Sequence, residues 1–238
     1  YGAVSQFATA VRGQGMDWVM GPLGAPGGAA APEAPGPKWR AWAAAMGGNG
    51  HIDGVGGVGS ATVSASGGGG VAGLEVRIND NFAMGIAAGG VTSSYTVSER
   101  ATSGKQTGGI GAVYGVARFD RLYAMGLVSY GGFGTDSTRY VAGPLGVETA
   151  TGNFSSSAWT GRMELGYRFE HPTANVSPYV AIQGTSLGNS GFTETATTSA
   201  GAPGAMGLAV QGKGGSSVPG ALGVQLDRRF AIDDDWGI

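Results

Sequence analysis

Apolar and polar side chains alternate along residues 153–170, as they do in a β-strand with two different faces. One face carries Trp159, Met163, Leu165, Tyr167 and Phe169, and the other carries Thr160, Arg162, Glu164, Arg168 and Glu170. In a soluble β-sandwich the apolar face of such a strand points into a core. In a transmembrane β-barrel that face meets lipid and the polar face lines the lumen. This strand taken alone fits both arrangements.

The same alternation continues after Lys38 and predicts eight strands without an intervening helix. The predicted strands are residues 38–47, 69–78, 82–96, 105–119, 121–139, 153–170, 177–194 and 214–230. Bulky apolar residues extend the first face, namely Leu74, Val76, Ile110, Tyr114, Leu222, Val224 and Leu226. Polar residues extend the second face, namely Glu75, Arg77, Gln225, Asp227 and Arg229. Along residues 121–139 and 177–194, the two sets of alternate positions are about equally apolar. The sequence therefore does not assign the two faces of these strands.

Short and long connections alternate between these strands. Tight turns are predicted at residues 79–81 and 120–121, whereas the longer connections near 48–68, 97–104, 140–152 and 195–213 are rich in Gly, Ser and Thr. Outer-membrane barrels have short periplasmic turns and long outer loops, with aromatic residues near the ends of their strands. Phe119, Trp159, Tyr167 and Phe169 lie near such ends. We therefore predict an all-β transmembrane barrel with the apolar face toward lipid and the polar face toward the lumen.

The composition agrees with a surface that largely avoids water. Only 13% of the 238 residues are charged, against about 25% in an ordinary soluble domain, and 49 are Gly. The absence of Cys excludes disulfides and thiolate metal sites. A net charge of −2 without a basic run argues against a nucleic-acid partner.

The first 37 residues differ from the rest of the chain. Val4, Phe7, Ala8 and Val11 have helical spacing and predict a short helix within residues 1–20. Residues 21–37 are rich in Pro, Gly and Ala, which predicts a linker without regular structure. The barrel domain is predicted to occupy residues 38–238.

Several motifs look catalytic but lack the structural context that their chemistry needs. Residues 54–59 match a G-x-G-x-x-G pattern without a following helix. Ser186 lies in a G-x-S-x-G pattern, but no helix is predicted after it, and both His51 and His171 precede it. The two histidines stand alone. We therefore expect no catalytic residue, cofactor or metal.

Six stretches in series resemble the β-domain of autotransporters, the translocator units of type V secretion. They are KWRAWAAAMGGNGHIDG, GGGVAGLEVRINDNFAMGIAAGGVTSSYTV, GGIGAVYGVARFDRLYAMGLVSYGGFGTD, FSSSAWTGRMELGYRFE, SPYVAIQGTSLGNSGFTE and VPGALGVQLDRRFAID. The resemblance implies a twelve-stranded antiparallel up-and-down barrel in the outer membrane of a Gram-negative bacterium, with the N-terminal helix in its lumen.

The implied activity is export and anchoring of the protein's own N-terminal passenger, without enzymatic activity. The implied partners are that passenger, outer-membrane lipid and the barrel-assembly machinery. The chain stops at Ile238, within what reads as a ninth strand, so we expect a fragment of the family's barrel. Some family members cleave their passenger at an Asn in the linker helix. Residues 1–37 contain no Asn, so this cleavage is not predicted.

Two other functions fit parts of the sequence. A secreted β-rich adhesin would bind its partner through residues 140–152 and 195–213. An esterase built on a barrel would use Ser186 as its nucleophile.

Overall fold

The computed structural model of the protein describes residues 2–20, 38–144, 146–170, 174–227, 231–233 and 236–237. An N-terminal helix, α1 (Gly2–Met20), precedes the strands. The long strands are β1 (Trp39–Ile52), β2 (Val63–Asn79), β3 (Phe82–Val97), β4 (Thr102–Phe119), β5 (Leu122–Gly143), β6 (Gly146–Tyr167) and β7 (Asn175–Asn189). The shorter strands are β8 (Phe192–Thr193), β9 (Thr195–Thr198), β10 (Ala209–Val210), β11 (Gly214–Ser217), β12 (Gly220–Asp227), β13 (Ala231–Asp233) and β14 (Trp236–Gly237).

Strands β1 to β7 pair in sequence order, each antiparallel to the next. Both β11 and β12 pair with β7, and β9 pairs with the far end of β6. Asp120 closes the β4–β5 turn with a φ of 56°, a conformation that Asp adopts more readily than most residues. In the part of the chain that the structure describes, β1 pairs with β2 alone. The predicted antiparallel up-and-down strand order is confirmed.

The sheet curves around α1. The helix packs against strands β1 to β6, and its Arg12 also reaches Gln225 on β12. The helical spacing predicted near the N-terminus is observed, since Val4, Phe7 and Val11 are buried against the sheet. The main apolar core therefore lies between the helix and the inner face of the sheet. Among the described residues, no helix has both the length and the hydropathy needed to cross a membrane.

The prediction of a long loop at residues 140–152 is wrong. Strands β5 and β6 stay paired up to Gly143 and Gly146, so this stretch is the end of a long hairpin. The predicted loop at 195–213 likewise contains β9 and β10. Small Gly, Ser and Thr side chains suggested loops in both cases. They form strands here because neighbouring segments pair with their backbones and cover one face.

The structure also assigns the two strands whose faces the sequence left open. Strand β5 buries Tyr123, Met125 and Leu127 on the side of α1. Strand β7 buries Ala181 on that side and exposes Ile182 on the other.

Candidate functional site

The outer face of the sheet carries most of the predicted apolar set. Met163, for example, is 69% exposed and Leu222 is 85% exposed. The other exposed members of the set are Leu74, Val76, Phe119, Trp159, Leu165, Tyr167, Phe169, Val224 and Leu226. So many exposed bulky apolar side chains on one surface indicate contact with a partner or a membrane.

The assignment of Ile110 and Tyr114 to this outer face is wrong, because each is only 4% exposed. Strand β4 alternates bulky residues with small ones, and α1 packs against it. The bulky side chains fill the space beside the helix. The Tyr114 ring lies so close to α1 that a β-carbon at Gly15 would come within 3.1 Å of it.

Aromatic pairs mark two levels on the outer face. Tyr130 and Trp159 lie 4.8 Å apart between ring centroids, as do Tyr167 and Phe169. Tyr167 follows Trp159 by eight residues on β6, which is about 27 Å along the strand and about 19 Å across a bilayer at a 45° tilt. That height is comparable to the apolar band of outer-membrane barrels, about 25 Å. Strand β5 continues beyond Tyr130 to Gly143, so its hairpin with β6 projects past this level.

A buried carboxylate connects α1 to the sheet. Glu164 on β6 is fully buried, and its oxygens accept hydrogen bonds from Arg12 on α1 at 2.6 to 2.9 Å. Arg162 donates to it at 2.8 Å and the Tyr123 hydroxyl at 3.0 Å. The Arg12 guanidinium also lies 4.6 Å from the centroid of the Tyr179 ring. Four N–H or O–H groups thus donate to the Glu164 carboxylate, and two of them belong to Arg12 on α1.

A second carboxylate cluster lies further along the inner face. Glu75 on β2 accepts hydrogen bonds from Arg40 at 2.7 Å and from the Tyr114 hydroxyl at 2.5 Å. The Trp42 ring nitrogen donates to that hydroxyl at 2.9 Å. Arg40 in turn donates to the backbone carbonyl of Gln14 on α1. This cluster joins β1, β2, β4 and the helix.

The remaining residues of the predicted polar set fall into two groups. Arg168 is buried, and Arg77, Arg162 and Gln225 are half-buried. The side chain of Asp227 and all of Arg229 lie outside the described residues. That these side chains line a lumen stays a prediction.

Sequence reasoning missed the two arginines that bind the carboxylates, Arg12 and Arg40. The signal for Arg12 was present, because it lies four residues after Ala8 and four before Met16, on the apolar stripe of the helix. A charged residue at such a position requires a buried partner. Arg40 left no comparable signal.

Among the described residues, the structure places no catalytic partner beside the motif residue Ser186, and it leaves His51 and its partners exposed. His51 hydrogen-bonds Ser64 and Asp53 at 3.0 Å each, but Asp53 is 90% exposed in its side chain, so water competes for the whole arrangement. Ser186 lies within β7, which continues to Asn189. His171 lies outside the described residues. Within those residues, no group of three His, Asp or Glu is placed to hold a metal.

Comparison with known proteins places these features in a family. The model of the autotransporter β-domain matches residues 41–238. Outer membrane protein A of Rickettsia rickettsii is 24% identical over 176 residues, and that of Rickettsia conorii is 23% identical. Each match covers 70% of this chain and 8% of the relative, so the chain spans a small part of their length.

The fold is similar to the translocator domain of the autotransporter NalP from Neisseria meningitidis. The TM-score is 0.68 at 16% identity, and the match covers 98% of this chain and 74% of that one. This likeness concerns the fold, an antiparallel barrel with a preceding helix. Because the family model covers most of the sequence, the chain belongs to the autotransporter β-domain family.

Proposed function

We propose that this chain is the outer-membrane translocator domain of an autotransporter, which exports its own N-terminal passenger and anchors it at the cell surface. Passenger export is the role of the family, and the relatives are named as outer membrane proteins. The observation that carries the proposal is the position of α1. The helix precedes the strands and is held inside the curved sheet by fully buried Glu164. The role is transport and requires no catalytic residue.

The N-terminus of α1 faces a cavity that leads outward. This exit vestibule has a volume of about 650 Å³ and is bounded by Gly2 and Gln6 of the helix together with residues from β1 to β7 and Lys213. A passenger joined to the N-terminus of α1 therefore leaves through this vestibule. The polar set around Glu75 and Glu164 lines the lumen and holds the helix after export.

The outer apolar face contacts outer-membrane lipid. Insertion there requires the barrel-assembly machinery, because β-strands expose unpaired backbone groups until they pair.

Replacing Met163 by Arg tests the lipid contact. Met163 lies midway between Trp159 and Tyr167 on β6, so a charge there meets the centre of the apolar band. We expect a loss of about 2 to 4 kcal/mol in the free energy of unfolding, measured by urea titration in lipid vesicles. Ser155→Arg is the matched control, since it lies on the same exposed face beyond Trp159. Equal losses in both variants would contradict a lipid-facing surface at Met163.

Export itself is tested with the full-length autotransporter in a Gram-negative host. We expect the passenger to be digested by protease added to intact cells, and the β-domain to require detergent for extraction. A passenger that remains protected inside the cell overturns the proposal. Release of the β-domain in soluble form overturns it as well, and favours a secreted adhesin.

A further inference from the structure

The segment that follows β7 pairs with the edge of β6 and also packs on inward-facing side chains of the β5–β6 hairpin. We name residues 190–213 the surface strap. Its strand β9 pairs with β6, from Thr195 opposite Thr151 to Thr198 opposite Glu148. Its Phe192 ring stacks on Phe154 of β6, with centroids 4.8 Å apart. The strap thus covers the projecting part of the hairpin on the side of the barrel axis.

Three charged side chains fasten the strap. Arg139 on β5 binds the Glu194 carboxylate and donates to the Met206 carbonyl at 2.9 Å. Glu148 on β6 accepts a hydrogen bond from the Met206 amide at 2.9 Å. Both backbone groups of Met206 are therefore bound by hairpin side chains. Glu194 also accepts from the Leu208 amide at 3.1 Å.

These charges are held away from water. Glu148 is 0% exposed, and the side chains of Glu194 and Arg139 are 8% and 18% exposed. The Glu148 carboxylate fits only because two glycines flank it, since a β-carbon at Gly143 or Gly204 would lie 2.2 Å from one of its oxygens. The hydrogen bond from Arg139 lowers the pKa of Glu194, which keeps its carboxylate ionised. Removing Arg139 or Glu194 breaks a shielded ion pair, and removing Glu148 leaves the Met206 amide without its acceptor.

The two ends of the strap lie beside the exit vestibule. The Lys213 amide donates to the Asn189 side chain at 2.7 Å, and both residues line the cavity that contains Gly2 of α1. Phe154, on which the strap packs, lines the same cavity. The strap therefore borders the path of the exported chain without filling it.

We propose that Arg139, Glu148 and Glu194 form a latch that holds the surface strap against the β5–β6 hairpin and thereby keeps the exit vestibule clear. The inference rests on the proposed export function. The latch keeps the strap in one position throughout export, whereas a gating loop would open and close. Loss of the latch frees a segment of about twenty residues to enter the vestibule.

Glu148→Ala in the full-length autotransporter tests the latch. A Cys introduced at buried Ala196 reports on the strap when labelling is read on the β-domain, because residues 1–238 contain no other Cys. We expect labelling of this Cys by a maleimide to be about tenfold faster in Glu148→Ala than in the parent, because the substitution removes the hydrogen bond to the Met206 amide. We also expect less passenger at the cell surface, with unchanged amounts of detergent-extracted, heat-modifiable barrel. Lys105→Ala is the control, since Lys105 is an exposed cation on β4.

A disulfide gives a second and independent test. Ala150 and Ala196 lie opposite each other on β6 and β9, a geometry suited to a disulfide between Ala150→Cys and Ala196→Cys. The oxidised pair should export the passenger as well as the reduced pair does, and it should restore export when combined with Glu148→Ala. Export blocked by the disulfide would show that the strap must move, which overturns the proposal. Normal export by Glu148→Ala with a freely labelled strap overturns it too. Failure of the parent protein to export would instead refute the proposed function.

Discussion

Replacing Glu164 by Ala should release α1 from the interior of the sheet. The substitution removes the carboxylate that binds both Arg12 and Arg162, and it leaves two cations on the inner face without it. Breaking a buried ion pair by removing one partner costs about 3 to 5 kcal/mol. Trypsin cleaves after Arg12 only when the helix opens. We therefore expect the N-terminal fragment ending at Arg12 to appear about a hundredfold to several thousandfold faster, as measured by mass spectrometry.

Glu170→Ala provides the matched control for this experiment. Glu170 lies 3.7 Å from Arg118, and both side chains are at least 30% exposed. Exposed pairs of this kind contribute about 0 to 1 kcal/mol. Cleavage after Arg12 should therefore stay within a few-fold of the parent. If Glu164→Ala behaves in the same way, the buried carboxylate does not hold the helix.

Replacing Phe7 by Ala should loosen the same helix by a different route. Phe7 is 0% exposed, and its ring packs beside Gly89 on β3. A β-carbon at Gly89 would lie 3.3 Å from that ring. Truncation of a buried Phe to Ala costs about 3 to 5 kcal/mol, so cleavage after Arg12 should again rise about a hundredfold to several thousandfold.

Thr9→Ala is the comparison for Phe7→Ala. Thr9 is exposed on α1 and its hydroxyl donates to the Ser5 carbonyl within the helix. Its replacement changes the same helix without changing the contact with the sheet. Fast cleavage in both variants would point to a weakened helix, and slow cleavage in both would mean that Phe7 does not dock it.

Strand order and most face assignments could be predicted from the sequence, because a period of two is visible wherever one face is bulky and the other charged. Strand β4 shows where this fails. Its bulky phase alternates with glycines, and small residues suit either side of a sheet. The position of α1 decides the matter, and it buries Ile110 and Tyr114. That position depends on contacts between distant segments, which alternation within one strand does not record.

The sequence predicts the carboxylates of the candidate site but not the arginines that bind them. Glu75 and Glu164 stood out as charges within otherwise apolar strands, and the structure buries both on the inner face. Their partners Arg12 and Arg40 lie 152 and 35 residues away along the chain. Pairs formed at such separations follow from the curvature of the sheet, which brings β1, β2, β6 and α1 around one axis.

In the proposed translocator, the β5–β6 hairpin is visible from outside the cell. Gly143 lies thirteen residues beyond Tyr130 on β5, which corresponds to about 44 Å along the strand and about 30 Å above the upper aromatic level at a 45° tilt. Its tip thus stands above the membrane by a distance similar to the thickness of the hydrocarbon core. An antibody or a bacteriophage approaching the cell meets this tip before it meets lipid. The translocator domain thereby presents an epitope of its own, separate from its passenger.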